Sequence, residues 1–208
     1  SDQCRINYPI LNDLGYKIEA LIDDTVDKKS PFSSIPIYIG DIGLQNFIDH
    51  NKLKNLGFAI AIANPYGHIR VKIHAKLVSK GFLPISFSDQ TAHICNSVIF
   101  GEGLQVMPSA IIENDVKIST QCIIGTRALV MHDCILGQGV EIGPGSVVCG
   151  RVTIGNNSWV GAGAVIKDRL NIGSNTIIGA GAVVVSDIPD GVIVAGVPAK
   201  IIKKNSHV

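Results

Sequence analysis

The chain has 208 residues, 46% of them hydrophobic and only 17% charged. That composition excludes an intrinsically disordered chain, and the length suits one large domain or two small ones. Lys plus Arg number 18 against 17 for Asp plus Glu, so there is no basic excess for a nucleic-acid backbone, and 5% aromatics are too few for a base-stacking platform.

Residues 1–88 alternate helix-like and strand-like stretches. Pro9–Leu14 reads as a short helix, with proline tolerated in its first turn and Gly15 ending it. Tyr16–Ile22 reads as a strand running into Asp23–Asp24, and Ile35–Ile39 as a second short strand. Leu44–Asn55 predicts a helix closed by Gly57, and Phe58–Ala63 is an apolar run of strand length before Pro65. Ile69, Ile73 and Leu77 recur at helical spacing before Gly81, and Pro84–Phe87 returns as a strand. Such alternation predicts a small α/β unit with a parallel sheet. The chain opens inside what reads as a loop or helix start, so an opening strand is expected ahead of residue 1.

Glycine changes near Ser86–Asp89: six fall in residues 1–88 and sixteen in 89–208, which puts the expected boundary at 88/89. From there the chain repeats. Every sixth position from Ile94 to Val184 is large and apolar, sixteen in all. The position after each is glycine in eight of the sixteen, and the position four after is Ala, Cys, Ser, Thr or Val in thirteen. A large aliphatic every six residues can stack inward on its equivalent one coil away, and the second inward column must be small in a narrow triangular prism. Glycine would relieve crowding at the corners, where a positive φ costs it little. Three hexapeptides per coil give about five coils, or roughly 25 Å at the ~4.8 Å strand spacing. The pattern predicts a parallel β-helix solenoid.

The five cysteines form neither a CxxC pair nor a disulfide framework, so a reduced, cytoplasmic protein is expected. Cys122 and Cys134 fall in the small inward column and read as core packing, while Cys95 and Cys149 fall in the glycine column and read as inert. Ser1–Asp2–Gln3–Cys4–Arg5 has no apolar run behind it, so no leader is expected there, and Leu170–Ser186 is too broken by glycine and polar residues to span a membrane. Of six histidines, His132 lies in the middle coils, two places after an inward valine, and so faces outward with Asp133 beside it. Downstream, Gly143–Pro144–Gly145, Gly161–Ala162–Gly163–Ala164 and Gly179–Ala180–Gly181–Ala182 offer small outer surfaces against which a thin ligand could lie.

Residues 89–204 resemble the hexapeptide-repeat acetyltransferases with a left-handed β-helix. With residues 1–88 they resemble the sialic-acid and bacillosamine pathway acyltransferases, which modify nucleotide-linked amino sugars or sialic acids. The pieces that carry this are Ile22–Asp23–Asp24, Ala61–Ile62–Ala63–Asn64 with Arg70, Val130–Met131–His132–Asp133–Cys134, Gly150–Arg151–Val152–Thr153–Ile154–Gly155 and Gly196–Val197–Pro198–Ala199–Lys200. The resemblance implies a Rossmann-like nucleotide-sugar domain over residues 1–88, a left-handed β-helix acetyltransferase domain over 89–208, and a homotrimer with its sites between prisms. It implies acetyl-CoA as co-substrate, with no metal, nucleic acid or membrane insertion.

The same resemblance implies His132 as general base, Asp133 as the carboxylate raising its basicity, and a backbone N–H near Gly150 as oxyanion donor. It sets Glu141, Gly150, Ala162 and Ala180 along the acetyl-CoA cleft, and Ser1, Asp2, Gln3, Asp23, Asp24, Ala63 and Asn64 at the nucleotide sugar. Ser–Asp–Gln stands where the family has a glycine-rich phosphate loop, Ala63 where a glycine is common, and Glu141 where a polar residue, often His, is usual. The implied reaction is N-acetylation of the 4-amino group of a UDP-linked deoxy amino sugar. O-acetylation of a sialic-acid-like sugar and a non-catalytic trimeric scaffold are the alternatives. A metal-dependent hydratase would need a third histidine near His93 and His132, which the repeat does not offer.

Overall fold

The computed structural model describes residues 2–51 and 56–206. The chain divides into two compact units, Ser1–Gly57 and Phe58–Val208. No helix among the described residues is long and apolar enough to cross a membrane.

In the first unit, helix α1 (Gln3–Asp13) is followed by strands β1 (Leu21–Asp23) and β2 (Ile37–Ile39) and helix α2 (Gly40–Asn51). The two strands pair in parallel, Ile22 opposite Tyr38. Helix α1 begins six residues before the expected Pro9, which sits inside it, and the helix buries Asn7, Ile10 and Leu11. Gln3, expected in a loop, is therefore the first helical residue, and its amide donates to Asn7 Oδ1 at 2.9 Å. The far end of the helix expected over Leu44–Asn55 lies outside the described residues, as does Ser1.

The second unit starts at Phe58, some thirty residues earlier than the glycine count suggests. Strand β3 (Gly57–Phe58) leads through an irregular segment to helix α3 (Gly67–Ser79) and strand β4 (Leu83–Pro84). The change in composition marks where the repeat begins. Residues 58–84 belong with the repeat because their polar groups bind it: Gln105 donates to Ile60 O at 2.8 Å, and Arg70 donates to the carbonyls of Gln121 and Gly139. The strands β1 to β4 lie in two separate two-stranded sheets, β1 with β2 and β3 with β4. The buried side of α3 is Gly67 and Arg70, while Ile69, Ile73 and Leu77 are half-buried.

From Phe87 to Val184 two-residue strands build three faces, each strand pairing with its neighbour eighteen residues away, and Val192–Ala195 and Lys200–Lys204 complete an eight-stranded face beside faces of five and six. The prism is parallel throughout until Lys200–Lys204 returns antiparallel along Val192–Ala195. From Val106 to Val184 every member of the large apolar column is at most 4% exposed, so the six-residue period is the core itself. The first coil is open at its end, where Phe100 is 49% exposed. Hydroxyls and thiols in the small column are satisfied by carbonyls: Ser146 Oγ donates to Gly143 O, Ser158 Oγ to Gly173 O, and the Cys122 and Cys134 thiols to Gly137 O and Cys149 O.

The corners correct one expectation. The glycines that follow the large apolar residues do not adopt positive φ. They are small because a Cβ would strike the next coil, as at Gly125, 2.7 Å from Ile142 O. The left-handed conformation falls two residues later, at Ser109, Asp115, Gln121, Arg127, Asp133, Arg151, Asn157, Arg169 and Asn175, with glycine at 103, 139, 145, 163 and 181.

Candidate active site

His132 and Asp133 follow the strand Leu129–Val130, where the chain leaves the six-stranded face for the five-stranded one. Adjacent side chains seldom meet, but the φ of 59° at Asp133 bends the backbone at this point. His132 Nδ1 lies 2.8 Å from Asp133 Oδ2, with both side chains nearly half exposed. The hydrogen bond from His132 holds the Asp133 carboxyl below its ordinary value, with the Arg151 guanidinium adding to that effect. An ionised Asp133 selects the tautomer with hydrogen on Nδ1, which leaves Nε2 as the free base nitrogen. The preceding coil steadies the loop, because His132 N–H donates to Glu113 at 3.2 Å.

Gly150 lies on the next coil under the ring, and a Cβ there would stand 2.6 Å from His132 Nε2. His132, Asp133 and Gly150 therefore form one outward-facing cluster. Ala162 and Ala180 do not join it. They follow strands of the eight-stranded face, at the corner leading into the six-stranded one, and both are exposed. Beside them Gly163 and Gly181, with Gly145 one coil earlier, have open space where a Cβ would stand. The six-stranded face thus separates the two groups, and beyond His93 on its first strand its outward column of Ile111, Leu129, Val147, Val165 and Val183 is apolar.

Glu141 has a role that the sequence did not suggest. Its side chain is 8% exposed, and both carboxylate oxygens are engaged within the chain: Oε2 by Arg70 Nη1 at 3.2 Å, Oε1 by Asn64 Nδ2 at 2.8 Å. Burial raises the Glu141 carboxyl above its ordinary value, with Arg70 and Asn64 opposing the shift. Arg70 is 1% exposed and also donates to the carbonyls of Ile62, Gln121 and Gly139. Helix α3 comes close enough for this because Gly67 and Gly139 face each other, and a Cβ on Gly67 would collide with Gly139 O. Asn64 is thus joined to Glu141, and Ala63 beside it is half-buried. A lone arginine among half-buried aliphatics was the signal for this knot, though nothing local named its partner.

In the first unit, burial would raise Asp23, but the hydrogen bonds from Thr25 and the Lys28 ammonium outweigh it and lower its pKa. Lys28 Nζ is 3.6 Å from Asp23 Oδ2, while Asp24 is exposed. A cavity of about 370 Å³ is lined by Asp2, Arg5, Lys28, Lys29, Ser30 and Pro31. The ring of Phe32 stacks on Tyr8 at 4.3 Å, which holds this loop against α1 one turn from Arg5. Arg5, Lys28 and Lys29 were not singled out in the sequence, where they look like ordinary surface cations. Among the described residues no three His, Cys, Asp or Glu side chains gather in a set that could hold a metal ion.

The parallel faces are those of a hexapeptide-repeat transferase, and the bacterial transferase hexapeptide (six repeats) family matches residues 151–186. Over nearly its whole length the chain is similar to the GDP-perosamine N-acetyltransferase of Caulobacter crescentus, whose structure is in complex with CoA and GDP-perosamine. The identity is 33%, with 97% of this chain and 92% of that one covered, at a TM-score of 0.87. The acetyltransferase domain of PglB from Neisseria gonorrhoeae, in complex with acetyl coenzyme A, is 29% identical over 96% of this chain and 94% of its own, at 0.84. WeeI of Acinetobacter baumannii is 28% identical over 95% and 94%, at 0.85. The chain belongs to the sialic-acid and bacillosamine pathway acyltransferase family, the nucleotide-amino-sugar acetyltransferases built on hexapeptide repeats.

Proposed function

We propose that this protein transfers an acetyl group from acetyl-CoA to the amine of a nucleotide-linked deoxy amino sugar. The observation that carries the reading is the His132–Asp133 pair set over Gly150 on an exposed corner, in a chain of this family. Asp133 holds Nδ1–H, and Nε2 accepts the proton that the amine sheds as its lone pair attacks the thioester carbonyl. A backbone N–H near Gly150 stabilises the oxyanion. The C–S bond then breaks, the CoA sulfur leaves and takes up a proton, and the products are CoA and an amide.

The nucleotide sugar is assigned to the first unit, residues 1–57, read as the Rossmann-like part of the chain. Asp23, Asp24, Asp2 and Gln3 face the nucleotide, and the diphosphate lies at the cavity of Arg5, Lys28 and Lys29. Support comes from the parallel β1–β2 pair followed by a helix, and from a lining of three cations and one anion against the two charges of a diphosphate diester. The GDP sugar bound by the Caulobacter relative makes a GDP-linked substrate the first to test beside a UDP-linked one.

Left-handed winding and a homotrimer belong to the same proposal. Ala162 and Ala180 stand across an apolar face from His132, so the acetyl-CoA cleft is completed when one protomer brings its alanine corner to its neighbour's histidine corner. Glu141 acts from beneath, holding Asn64 and Arg70. A cytoplasmic setting is supported by five free cysteines.

The deciding assay follows CoA thiol release with GDP-, UDP- and dTDP-linked 4-amino sugars. One sugar should turn over, with a product that resists hydroxylamine as an amide does, and H132A should lose about 100-fold or more in kcat. Turnover unaffected by H132A would overturn the catalytic reading.

A further inference from the structure

We propose that Arg151 is a positioning residue of the catalytic pair, fixing the Asp133 carboxylate and setting a positive charge beside the oxygen that orients the His132 base. The inference rests on the reading of His132 as general base. Arg151 sits eighteen residues after Asp133, directly over it on the next coil, and its N–H donates to His132 O at 2.9 Å. Its Nε lies 3.7 Å from Asp133 Oδ2, the same oxygen that meets His132 Nδ1 at 2.8 Å. One carboxylate oxygen is therefore shared between the imidazole and a guanidinium.

Two consequences follow. A carboxylate with partners on two coils has fewer rotamers open to it, so the imidazole it orients is better fixed. A cation beside the pair also disfavours an imidazolium, whereas Asp133 alone favours one. The other charged and titratable groups at neighbouring positions on the adjoining coils are Glu113 and Asp115 on the preceding coil, Cys149 on the next, and Asp168 and Arg169 one coil further. Of the cations among the described residues, Arg151 is the one paired with Asp133. Its backbone is left-handed, φ 62°, where glycine or asparagine would sit with less strain. Arg169 shares that conformation, so it is the ion pair with Asp133 that carries the assignment.

The test compares pH profiles of kcat/KM for the wild type, R151K, R151Q and R151E. R151Q should move the acid limb upward by about half a pH unit at low ionic strength, and R151E by about twice that. R151K should stay near the wild type, and molar salt should bring all four together, since both partners are about half exposed. A merely structural role would lower activity at every pH and leave the limb in place. An unmoved limb in both R151Q and R151E overturns the proposal. The midpoint of the His132 imidazole NMR signals, followed in the same four proteins, should move in the same order and needs no turnover. Absent acetyl transfer with a moving midpoint would therefore sink the acetyltransferase reading and leave the coupling standing.

Discussion

The α-carbon of Gly150 lies under the imidazole of His132, so close that a Cβ would reach within 2.6 Å of Nε2. The backbone at residue 150 does not adopt positive φ, so alanine there fits the chain's conformation, and the three atoms nearest its Cβ all belong to the ring. G150A should therefore displace His132 without unfolding the coil. The expected result is a fall in kcat/KM of about 100-fold, comparable with loss of a general base, and a melting temperature within a few degrees of the wild type. Activity near the wild-type level would mean that the ring works from another position.

The cavity of Arg5, Lys28 and Lys29 should respond to charge. R5Q and K29Q should each weaken GDP or UDP binding about five-fold, as expected for one charge-assisted contact, and leave the affinity for CoA unchanged. K28Q should do less, because Lys28 already pairs with Asp23. Titration calorimetry at two salt concentrations measures this. Equal nucleotide affinity in all three variants would remove the diphosphate from this cavity.

The buried knot of Arg70 and Glu141 predicts a stability effect of both size and sign. E141A leaves the guanidinium buried without its carboxylate and should cost about 3–5 kcal/mol, with E141Q costing less because it can still meet Arg70 and Asn64. A carboxyl raised on folding keeps its proton where the unfolded chain has already released it. Stability therefore falls as pH rises from the ordinary value of 4.5 through the raised one, and E141Q should lose that slope. Denaturant melts of both proteins from about pH 4 to about pH 7 check it.

The cysteines should divide by burial. Removal from water pushes the Cys122 thiol up to about 12 and Cys134 to about 11, and the reactive thiolate is then scarce at pH 8. Both should resist iodoacetamide until the protein is denatured. Cys4 and Cys95 should label first and Cys149 more slowly, since partial burial and nearby Asp168 raise it as well. Peptide mass spectrometry reads the order, and early labelling of Cys122 would contradict the packing of the small inward column.

The prism was legible in the residues because its core is periodic. Val106 to Val184 must all point inward if they recur every sixth position in a three-faced coil, and no long-range partner has to be known to say so. His132 facing outward followed from the same arithmetic. The meeting of Arg70 with Glu141 was not legible, since 71 residues separate them and nothing local to either names the other. Nor was the crossing of His132 over Gly150, or the sharing of Asp133 between His132 and Arg151, because those contacts run between coils and depend on side-chain direction. Repetition along the chain determined the core of the solenoid. Only the stacking of coils, and the close approach that glycine at 67 and 139 permits to α3, decided which polar groups meet.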